Sequence, residues 1–254
     1  MPAPEPKLSR HLEWEGVLNV RDLGGIALED GGETRYGVLV RADNVRRLTD
    51  DGWRSLAEHG VARIVDLRWQ VELDEDPSRD LDIDVVHVSI LGEFDPDFED
   101  DIRDYMADDD PAGYWAISYT RILEKFAPNF ARALAAIADA PDGSVLFHCA
   151  GGKDRTGLVA ALTLRLAGAP IEEIARDYAL SFERRSGVSD PWVEAAPDDD
   201  ERARRAFMQH TPPEAMQRTI EQLERDHGSV ESYLLQAGLD EPRIERLRER
   251  LRRA

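Results

Sequence analysis

The sequence predicts an α/β fold in which a central, mostly parallel sheet carries helices on both faces. The first observation behind this prediction is that short apolar runs alternate with helix-like runs between residues 17 and 180. The second is size, because 254 residues with 42% hydrophobic content can bury a substantial core. We expect one domain over residues 12–253, preceded by a flexible N-terminal arm at residues 1–11.

The strand candidates are short apolar runs with turn residues or polar residues at their ends. They cover residues 38–40, 61–67, 85–90 and 144–147, and a further apolar run at 17–20 precedes a glycine turn. Asp66 and Arg68 lie at the carboxyl end of one candidate, which is the edge where open α/β sheets bind ligands. A structural ion pair and a role in the site are equally open for these two residues. Arg21 and Asp22 are predicted to form a structural ion pair, with contact to substrate as the alternative.

The helix candidates combine apolar residues at spacings of three and four with recognisable end signals. Thr49 is a candidate cap for a helix that stops at Gly60. The strongest periodicity covers residues 114–138, where Pro128 should kink or break the helix and Asn129 is a candidate cap. Further helices are predicted at 157–168, 171–182, 213–227, 230–237 and 244–251, so the C-terminus should be helical.

Two connections are candidates to cover a site. Residues 93–110 follow a strand and carry ten acidic residues in eighteen, which favours a solvated loop. The alternative is a lid reaching residue 113, or a source of a catalytic acid such as Glu93. Residues 184–211 are irregular, with Pro191 and Pro197, and are predicted to be a helical lid or insertion.

The stretch HCAGGKDRTG at residues 148–157 is the strongest functional signal. A strand-like run precedes it and an apolar helix pattern follows it, so the local order is strand, loop and helix. A helix start leaves backbone N–H groups unpaired and carries positive partial charge. A glycine-bearing loop before it can curl its amides around an anion. The nucleotide pattern GxxxxGK[ST] does not fit, since it needs Gly at Phe147 and a hydroxyl residue at Asp154.

Cys149 is the only cysteine of the chain, and Arg155 follows six residues later. A free thiol has a pKa near ~8.5, which helix N-termini and nearby cations lower, so this loop could hold a nucleophilic thiolate. The same amides would bind phosphate oxygens, and a guanidinium can bind two of them at once. A lone cysteine after a strand is more often a small buried hydrophobe. Two glycines and two cations directly after it favour a catalytic anion loop instead.

This stretch resembles the HC-x5-R-[ST] signature of cysteine-dependent phosphatases, and the Lys-Asp pair before the arginine resembles the atypical bacterial tyrosine phosphatase family. Other stretches are similar to that family as well. They are residues 19–25, 41–43, 65–68 and 228–233, so the resemblance spans residues 12–253. It implies a tyrosine-phosphatase-like fold and hydrolysis of phosphate monoesters through a cysteinyl-phosphate.

The resemblance also implies roles for individual residues. Cys149 would be the nucleophile, Arg155 would bind the phosphate, and the backbone of residues 150–155 would cradle it. That loop consists of Ala150, Gly151, Gly152, Lys153, Asp154 and Arg155. His148 would order the loop by hydrogen bonding, and Thr156 would hydrogen-bond the sulfur.

Asp154 is the first candidate for the general acid because it lies inside the loop, and its alternative is an ion pair with a neighbouring cation. In many relatives the acid comes from a separate loop, so Glu93, Asp95 and Asp66 are the alternatives. Arg68 and Tyr114 are candidates to contact substrate, and Tyr119 could also reach the site, although packing is the commoner role of such tyrosines. Lys153 occupies a position where inositol-lipid phosphatases often carry lysine, so the resemblance implies phosphoinositides as well as phosphoproteins.

Charge and composition limit the partners. The net charge of −20 disfavours nucleic acid and anionic membranes. One cysteine allows no internal disulfide, no segment reads as a signal peptide or a membrane span, and the six histidines do not cluster at metal spacings. We expect a cytoplasmic enzyme, with signal-less secretion as an alternative, that needs neither metal nor cofactor. Its partners would be a phosphorylated protein or phosphoinositide, with inorganic phosphate as product and inhibitor.

Three other classes use related chemistry. An arsenate reductase usually recruits further cysteines, which this chain lacks. A sulfurtransferase does not require Lys-Asp-Arg at this spacing. A non-catalytic binding module would be expected to lose Cys149 or Arg155, and both are present.

Overall fold

A computed structural model of the chain describes residues 9–76, 83–93, 98, 110–186 and 191–252. Within these ranges five strands form one sheet, in the order β1-β2-β5-β3-β4. The strands are β1 (Arg21–Asp22), β2 (Leu39–Ala42), β3 (Val61–Asp66), β4 (Asp84–His87) and β5 (Ser144–His148). β1 is antiparallel to β2, and the other neighbouring strands are parallel. The predicted α/β fold with a mostly parallel sheet is confirmed.

The central strand, β5, is buried along its whole length. Its last residue, His148, is in register with Ala42 of β2 on one side and with Asp66 of β3 on the other. The carboxyl ends of the three strands therefore meet at one edge of the sheet. The segments that follow them in the chain begin side by side at that edge, which is where open α/β sheets place their ligands.

Most of the other regular structure in the described ranges is α-helical. In chain order they are α1 (Asp50–Glu58), α2 (Gln70–Glu75), α3 (Pro111–Lys125), α4 (Ala127–Ala138), α5 (Asp154–Leu166), α6 (Ile171–Arg185), α7 (Pro191–Glu194), α8 (Asp199–Phe207), α9 (Pro213–His227), α10 (Val230–Gln236) and α11 (Glu241–Leu251). Thr49 caps α1 as predicted, because its Oγ1 accepts a hydrogen bond of 3.2 Å from the backbone of Gly52. The predicted helical C-terminus is confirmed.

The sheet separates two apolar cores, because successive strand residues point to opposite faces. Val40 and Leu146 face a smaller core with Leu56 of α1. Leu39 and Phe147 face a larger core that includes residues of α3 to α6 and of α9 to α11. Burial on both faces explains why β5 is a continuous apolar run from Val145 to Phe147 rather than an alternating one.

The long helix predicted at residues 114–138 is broken at Phe126. Pro128 lies in the first turn of α4, where its missing N–H costs no hydrogen bond, so the expected break is confirmed. The expected cap is wrong, because Asn129 instead donates from Nδ2 to the carbonyl of Ile90 at 2.9 Å. That bond ties α4 to the segment after β4.

Other boundaries differ from the sequence prediction. β4 ends at His87, and Val88 and Ile90 are buried beyond the strand. Helix α2 forms between β3 and β4, where the sequence analysis predicted no helix. Most of the predicted N-terminal arm lies outside the described residues, but Arg10 is bound, since its carbonyl accepts a hydrogen bond of 2.8 Å from the backbone of Asp22.

Candidate active site

The stretch at residues 148–157 connects β5 to α5 at the carboxyl edge of the sheet. Cys149 directly follows the strand and is 2% exposed. The residues after it line a cavity of about 630 Å³, namely Ala150, Gly151, Lys153, Asp154 and Arg155. Cys149 itself is not among the residues that line the cavity. We call residues 149–153 the anion loop from here on.

The carbonyl groups of the anion loop are held by donors from outside it. These bonds run from Asn44 N to Ala150 O (3.1 Å), from Asn19 Nδ2 to Gly151 O (3.2 Å) and Gly152 O (3.0 Å), from Arg185 Nη1 to Gly151 O (3.3 Å), and from Arg41 Nη2 to Gly152 O (2.7 Å). In a trans peptide the C=O and the next N–H point in opposite directions. Because these donors bind three successive carbonyls, the amides of residues 151–153 point the opposite way from those bonds, and such amide clusters bind anions.

Gly152 has a specific reason to be glycine. Its φ is +65°, and a Cβ there would lie 2.6 Å from the carbonyl oxygen of Ala42. A side chain would therefore be strained and would collide with the end of β2. The glycine lets the anion loop pack directly against the neighbouring strand.

A buried ion cluster lies behind the anion loop. Asp177 of α6 pairs with Arg21 (3.0 Å), with Arg41 (2.6 Å) and with Arg10. Arg21 in turn donates to Asn19 Oδ1 at 2.5 Å, so both side chains that hold Gly152 O connect to the same carboxylate. The expected pair between Arg21 and Asp22 is not formed. Asp22 instead accepts from two backbone N–H groups, those of Gly24 and Gly37 at 2.7 Å each.

Burial and charge act strongly on this cluster. Burial alone would raise the pKa of Asp177, but the charges of Arg21, Arg41 and Arg10 outweigh it and hold the pKa far below its usual range. Burial and the positive charge of Arg41 lower the pKa of Arg21 to about 10, against the attraction of Asp177. At neutral pH Asp177 is therefore ionised and Arg21 is charged.

Arg155, in the first turn of α5, forms a bidentate ion pair with Glu72 of α2. Its Nη2 lies 2.9 Å from Glu72 Oε1, and its Nη1 bonds Oε2. Its guanidinium carbon also lies 5.1 Å from the ring centre of Trp69. Burial would lower the pKa of Arg155, but the charges of Cys149 and Glu72 raise it. Burial would likewise raise the pKa of Glu72, and the Arg155 hydrogen bonds reverse that effect.

Lys153 and Asp154 form a second charged unit. Lys153 Nζ lies 2.7 Å from Asp154 Oδ1 and 3.8 Å from the ring centre of Trp115. The same carboxylate oxygen accepts a hydrogen bond from Tyr119, whose hydroxyl lies 2.7 Å from that of Tyr178. Burial lowers the pKa of Lys153, against the charge of Asp154. Tyr119, for which packing was the commoner expectation, therefore reaches the site.

His148, Asp66 and Arg68 are buried beside the anion loop. His148 Nδ1 lies 3.2 Å from the carbonyl of Cys149, and Nε2 lies 3.7 Å from Asp66 Oδ2. Arg68 engages both oxygens of Asp66, with Nη2 to Oδ2 at 2.7 Å and Nε to Oδ1 at 3.0 Å. Neither Asp66 nor Arg68 lines the cavity, and each is 1% exposed. Their geometry is that of a structural ion pair.

The other predicted residues lie as follows. Thr156 is fully buried, and its Oγ1 has no hydrogen-bond partner within the described part of the chain, so the expected bond to sulfur is not formed. Glu93 is exposed and does not line the cavity. Tyr114 is buried against Trp115 and Phe207, with ring centres 4.9 and 5.7 Å away. Asp95 and most of the proposed 93–113 lid lie outside the described residues.

The cavity is more cationic than the rest of the chain. Its charged lining residues are Arg47, Lys153, Arg155, Arg185, Asp43, Glu72 and Asp154, and its aromatic ones are Trp69, Trp115 and Trp192. Trp192 of α7 and Met208 and Gln209 after α8 also line it. Part of the segment predicted to cover the site, residues 184–211, therefore forms one wall of this cavity.

Three residues of this site were missed by the sequence analysis. Glu72 is 83 positions from Arg155, and Asp177 is 136 positions from Arg41. Asn19 belongs to a stretch noted for its resemblance, yet nothing indicated that its amide holds Gly152. The resembling stretches 19–25 and 41–43 were the available signal, since both contact the anion loop or its supports.

Comparison with known proteins assigns the family. The profile of the tyrosine phosphatase family matches residues 12–253. A tyrosine-protein phosphatase of Nostoc commune is 33% identical over 233 residues, covering 85% of this chain and 74% of that protein. The triple specificity protein phosphatase of Mycobacterium tuberculosis is 26% identical over 282 aligned positions, covering 93% of this chain and 97% of that protein. This chain belongs to the tyrosine phosphatase family.

Two further features of the described residues bear on partners. None of their helices is long and apolar enough to cross a membrane. Among the same residues, no group of three or more His, Cys, Asp or Glu side chains is arranged to hold a metal ion.

Proposed function

We propose that this protein hydrolyses phosphate monoesters, phosphotyrosine first among them, through a covalent intermediate on Cys149. The observation that carries the proposal is the anion loop, in which donors outside the loop bind successive carbonyls, so that the amides of residues 151–153 point the other way and can face an anion. Membership of the tyrosine phosphatase family supports the same reaction. The roles of the individual residues follow from their contacts.

In the first half-reaction the Cys149 thiolate attacks phosphorus. An S–P bond forms while the P–O bond to the alcohol breaks, and the negative charge stays on the phosphoryl oxygens. Loop amides and Arg155 face that charge without having to reorganise, because their partners already hold them. The departing oxygen takes a proton, and we assign Asp154 as the donor because it lines the cavity next to Arg155.

In the second half-reaction water attacks the phosphocysteine. The S–P bond breaks, the sulfur leaves as thiolate, and Asp154 now accepts the proton of the water. Inorganic phosphate is the product. The sum of both steps is one water consumed and one alcohol and one phosphate released, so Asp154 and Cys149 end in their starting states.

Arg155 keeps donors for the phosphate while paired with Glu72. A guanidinium has five N–H groups, and Glu72 uses one on each terminal nitrogen. No other described residue bonds Arg155, so the Nε–H and the remaining terminal N–H groups are free to meet two phosphate oxygens side by side. Glu72 would then fix the plane in which those donors point.

Phosphoinositides are a second candidate substrate class. The cavity carries Arg47, Lys153 and Arg185 in addition to Arg155, although the whole chain has a net charge of −20. An inositol headgroup with more than one phosphate would use these extra cations, whereas a phosphotyrosine side chain uses only the anion loop. The Mycobacterium tuberculosis relative is named a triple specificity protein phosphatase, which also supports substrates beyond phosphotyrosine.

The proposed function is tested by phosphate release from p-nitrophenyl phosphate, a phosphotyrosine peptide and a phosphoinositide, measured for the wild type and for Cys149→Ser. Replacing the thiolate by a weakly acidic hydroxyl should lower turnover of every substrate at least ~1000-fold, since the nucleophile is lost. The ratio of kcat/KM values between the last two substrates decides between the two substrate classes.

The matched control is the stability of the variant. Cys149→Ser changes one buried atom, so its thermal midpoint should stay close to that of the wild type. If the folded variant keeps most of its phosphate release, the covalent mechanism is wrong. If the wild type transfers sulfur to cyanide and releases no phosphate, the chain is a sulfurtransferase and the proposal fails as a whole.

A further inference from the structure

One oxygen of Asp154 carries all the contacts that described residues make with this carboxylate. Oδ1 accepts hydrogen bonds from Tyr119 and from Lys153, the latter at 2.7 Å. Oδ2 has no hydrogen-bond partner among the described residues, and the Asp154 side chain is 35% exposed at the cavity. The two oxygens of the carboxylate are therefore held in different environments.

The direction of the bonds around Tyr119 follows from its chemistry. A phenol has one hydrogen, and an ionised carboxylate can only accept, so Tyr119 donates to Asp154. Its oxygen then accepts from Tyr178, whose hydroxyl lies 2.7 Å away. Burial and the charge of Asp154 raise the pKa of Tyr119 well above its usual value, so it remains a donor at any working pH. The order of donation is Tyr178 to Tyr119 to Asp154.

The phenol of Tyr119 is held firmly in this position. The residue is fully buried, its ring stacks on Trp115 with centres 5.3 Å apart, and Tyr178 meets it edge-on at 5.9 Å. A side chain enclosed in this way has little rotamer freedom. The Tyr119 hydroxyl is therefore held in one orientation, in which it donates to Asp154 Oδ1.

We propose that Tyr119 is a positioning residue for proton transfer: by occupying Oδ1 it leaves Oδ2 as the oxygen that holds the transferable proton and presents it to the leaving group. The inference rests on the proposed function, in which Asp154 is the general acid. A proton on Oδ1 would compete with two donors already there, and a freely rotating carboxyl would present its proton only part of the time.

The test compares kcat/KM for two substrates that differ in their need for a proton. The 4-nitrophenolate group leaves p-nitrophenyl phosphate unprotonated, whereas phenyl phosphate releases a much more basic oxygen. Because kcat/KM reports only the steps up to departure of the leaving group, a later effect on water attack does not enter it. Tyr119→Phe should lower kcat/KM on phenyl phosphate roughly 10-fold and on p-nitrophenyl phosphate less than about twofold, as expected for loss of one positioning hydrogen bond.

Tyr233→Phe is the matched control. Tyr233 is also buried, and its hydroxyl donates at 2.7 Å to the carbonyl of Leu123 on the same helix α3, away from the cavity. It should leave both kcat/KM values unchanged. If Tyr119→Phe lowers kcat/KM equally on both substrates, or leaves both values unchanged as Tyr233→Phe does, the inference is overturned. Tyr119 would then serve only in packing.

The Asp154→Asn background separates the inference from the proposal beneath it. Asp154→Asn should itself lower kcat/KM on phenyl phosphate about 100-fold or more, with little change on p-nitrophenyl phosphate. Adding Tyr119→Phe should then have no further effect, because the two residues act as one unit. If Asp154→Asn shows no such substrate dependence, Asp154 is not the acid. If Asp154→Asn shows this substrate dependence, but adding Tyr119→Phe lowers kcat/KM by a further ~10-fold, only the inference about Tyr119 fails.

Tyr178→Phe keeps the test decisive should Tyr119→Phe not fold. It leaves the bond between Tyr119 and Asp154 in place and removes only the donor to the Tyr119 oxygen. A smaller loss of about threefold, again confined to phenyl phosphate, supports the proposed order of donation. Equal loss on both substrates counts against it.

Discussion

At the residue scale, the behaviour of Arg155 depends on two neighbours, Glu72 and Cys149. Glu72 binds its terminal nitrogens, and the charge of Cys149 also raises its pKa. A flexible arginine would have to be ordered each time a phosphate binds, at a cost in side-chain entropy of up to ~2 kcal/mol. The bidentate pair removes that cost in advance, so we expect Glu72 to strengthen phosphate binding without touching the substrate.

Glu72→Gln tests this contribution. The amide keeps one acceptor but loses the charge and the two-bond geometry, so Arg155 should be less well oriented. We expect kcat/KM to fall roughly 10-fold on p-nitrophenyl phosphate and phenyl phosphate alike, and inhibition by inorganic phosphate to weaken by a similar factor. Glu75→Gln, on the exposed side of the same helix, should change neither value.

The opposite result would assign Glu72 a different role. Its carboxylate also repels an incoming phosphate, and if that effect dominated, Glu72→Gln would bind inorganic phosphate more tightly. Tighter binding would mean that Glu72 blocks Arg155 rather than orienting it.

At the element scale, α6 acts on the anion loop from behind. Asp177 holds Arg21 and Arg41, and through them and Asn19 it fixes the carbonyl of Gly152. Breaking a buried ion pair by removing one partner is far more costly than removing an exposed one, because the remaining charge stays buried. The loop geometry is therefore coupled to an ion cluster that never contacts substrate.

Asp177→Asn should destabilise the protein by about 3–5 kcal/mol and lower kcat/KM on both test substrates. Asp139→Asn is the matched control, since Asp139 also bonds two arginines, Arg243 at 2.8 Å and Arg246 at 2.5 Å, but is 37% exposed. Asp139→Asn should therefore lower the free energy of unfolding by at most about 1 kcal/mol. Denaturant unfolding of both variants measures the difference, and equal effects would contradict the buried-cluster account.

Asp177 should also make the unfolding free energy depend on pH, which a comparison of the wild type with Asp177→Asn can measure. The pKa of Asp177 is lowered in the folded state, so its contribution to stability is present above the unfolded carboxyl pKa of about 3.9 and is lost as the pH falls below it. The unfolding free energy of the wild type should drop more steeply below about pH 4 than that of Asp177→Asn. Parallel curves would show that Asp177 does not carry this linkage.

At the scale of the whole molecule, the sequence contained the fold class and the centre of the site, because both depend on local patterns. Apolar runs indicated the strands at 61–67 and 144–147, and the loop between strand and helix at residues 148–157 carried a recognisable sequence motif. The break at Phe126 followed from Pro128. The contacts that hold the loop could not be predicted from the sequence, because only the tertiary fold connects Glu72 and Asp177 to the loop.

The distribution of charge is also a property of the whole chain. The net charge is −20, yet four cations line the candidate cavity. Composition indicated only that nucleic acid and anionic surfaces are poor partners; it could not locate the positive charge. The fold gathers Arg47, Lys153, Arg155 and Arg185 at one edge of the sheet, where an anionic substrate would otherwise be repelled.

In the proposed mechanism, the sulfur of Cys149 becomes covalently bound to phosphorus during turnover. Rapid quenching of the enzyme during turnover of p-nitrophenyl phosphate, followed by mass spectrometry of its peptides, measures this directly. Asp154→Asn should increase the fraction of enzyme trapped with a phosphoryl group on Cys149, because the substitution slows water attack more than departure of 4-nitrophenolate. We predict one phosphoryl group on the peptide that contains Cys149; turnover with that peptide unmodified, or with the label on another residue, would contradict the account.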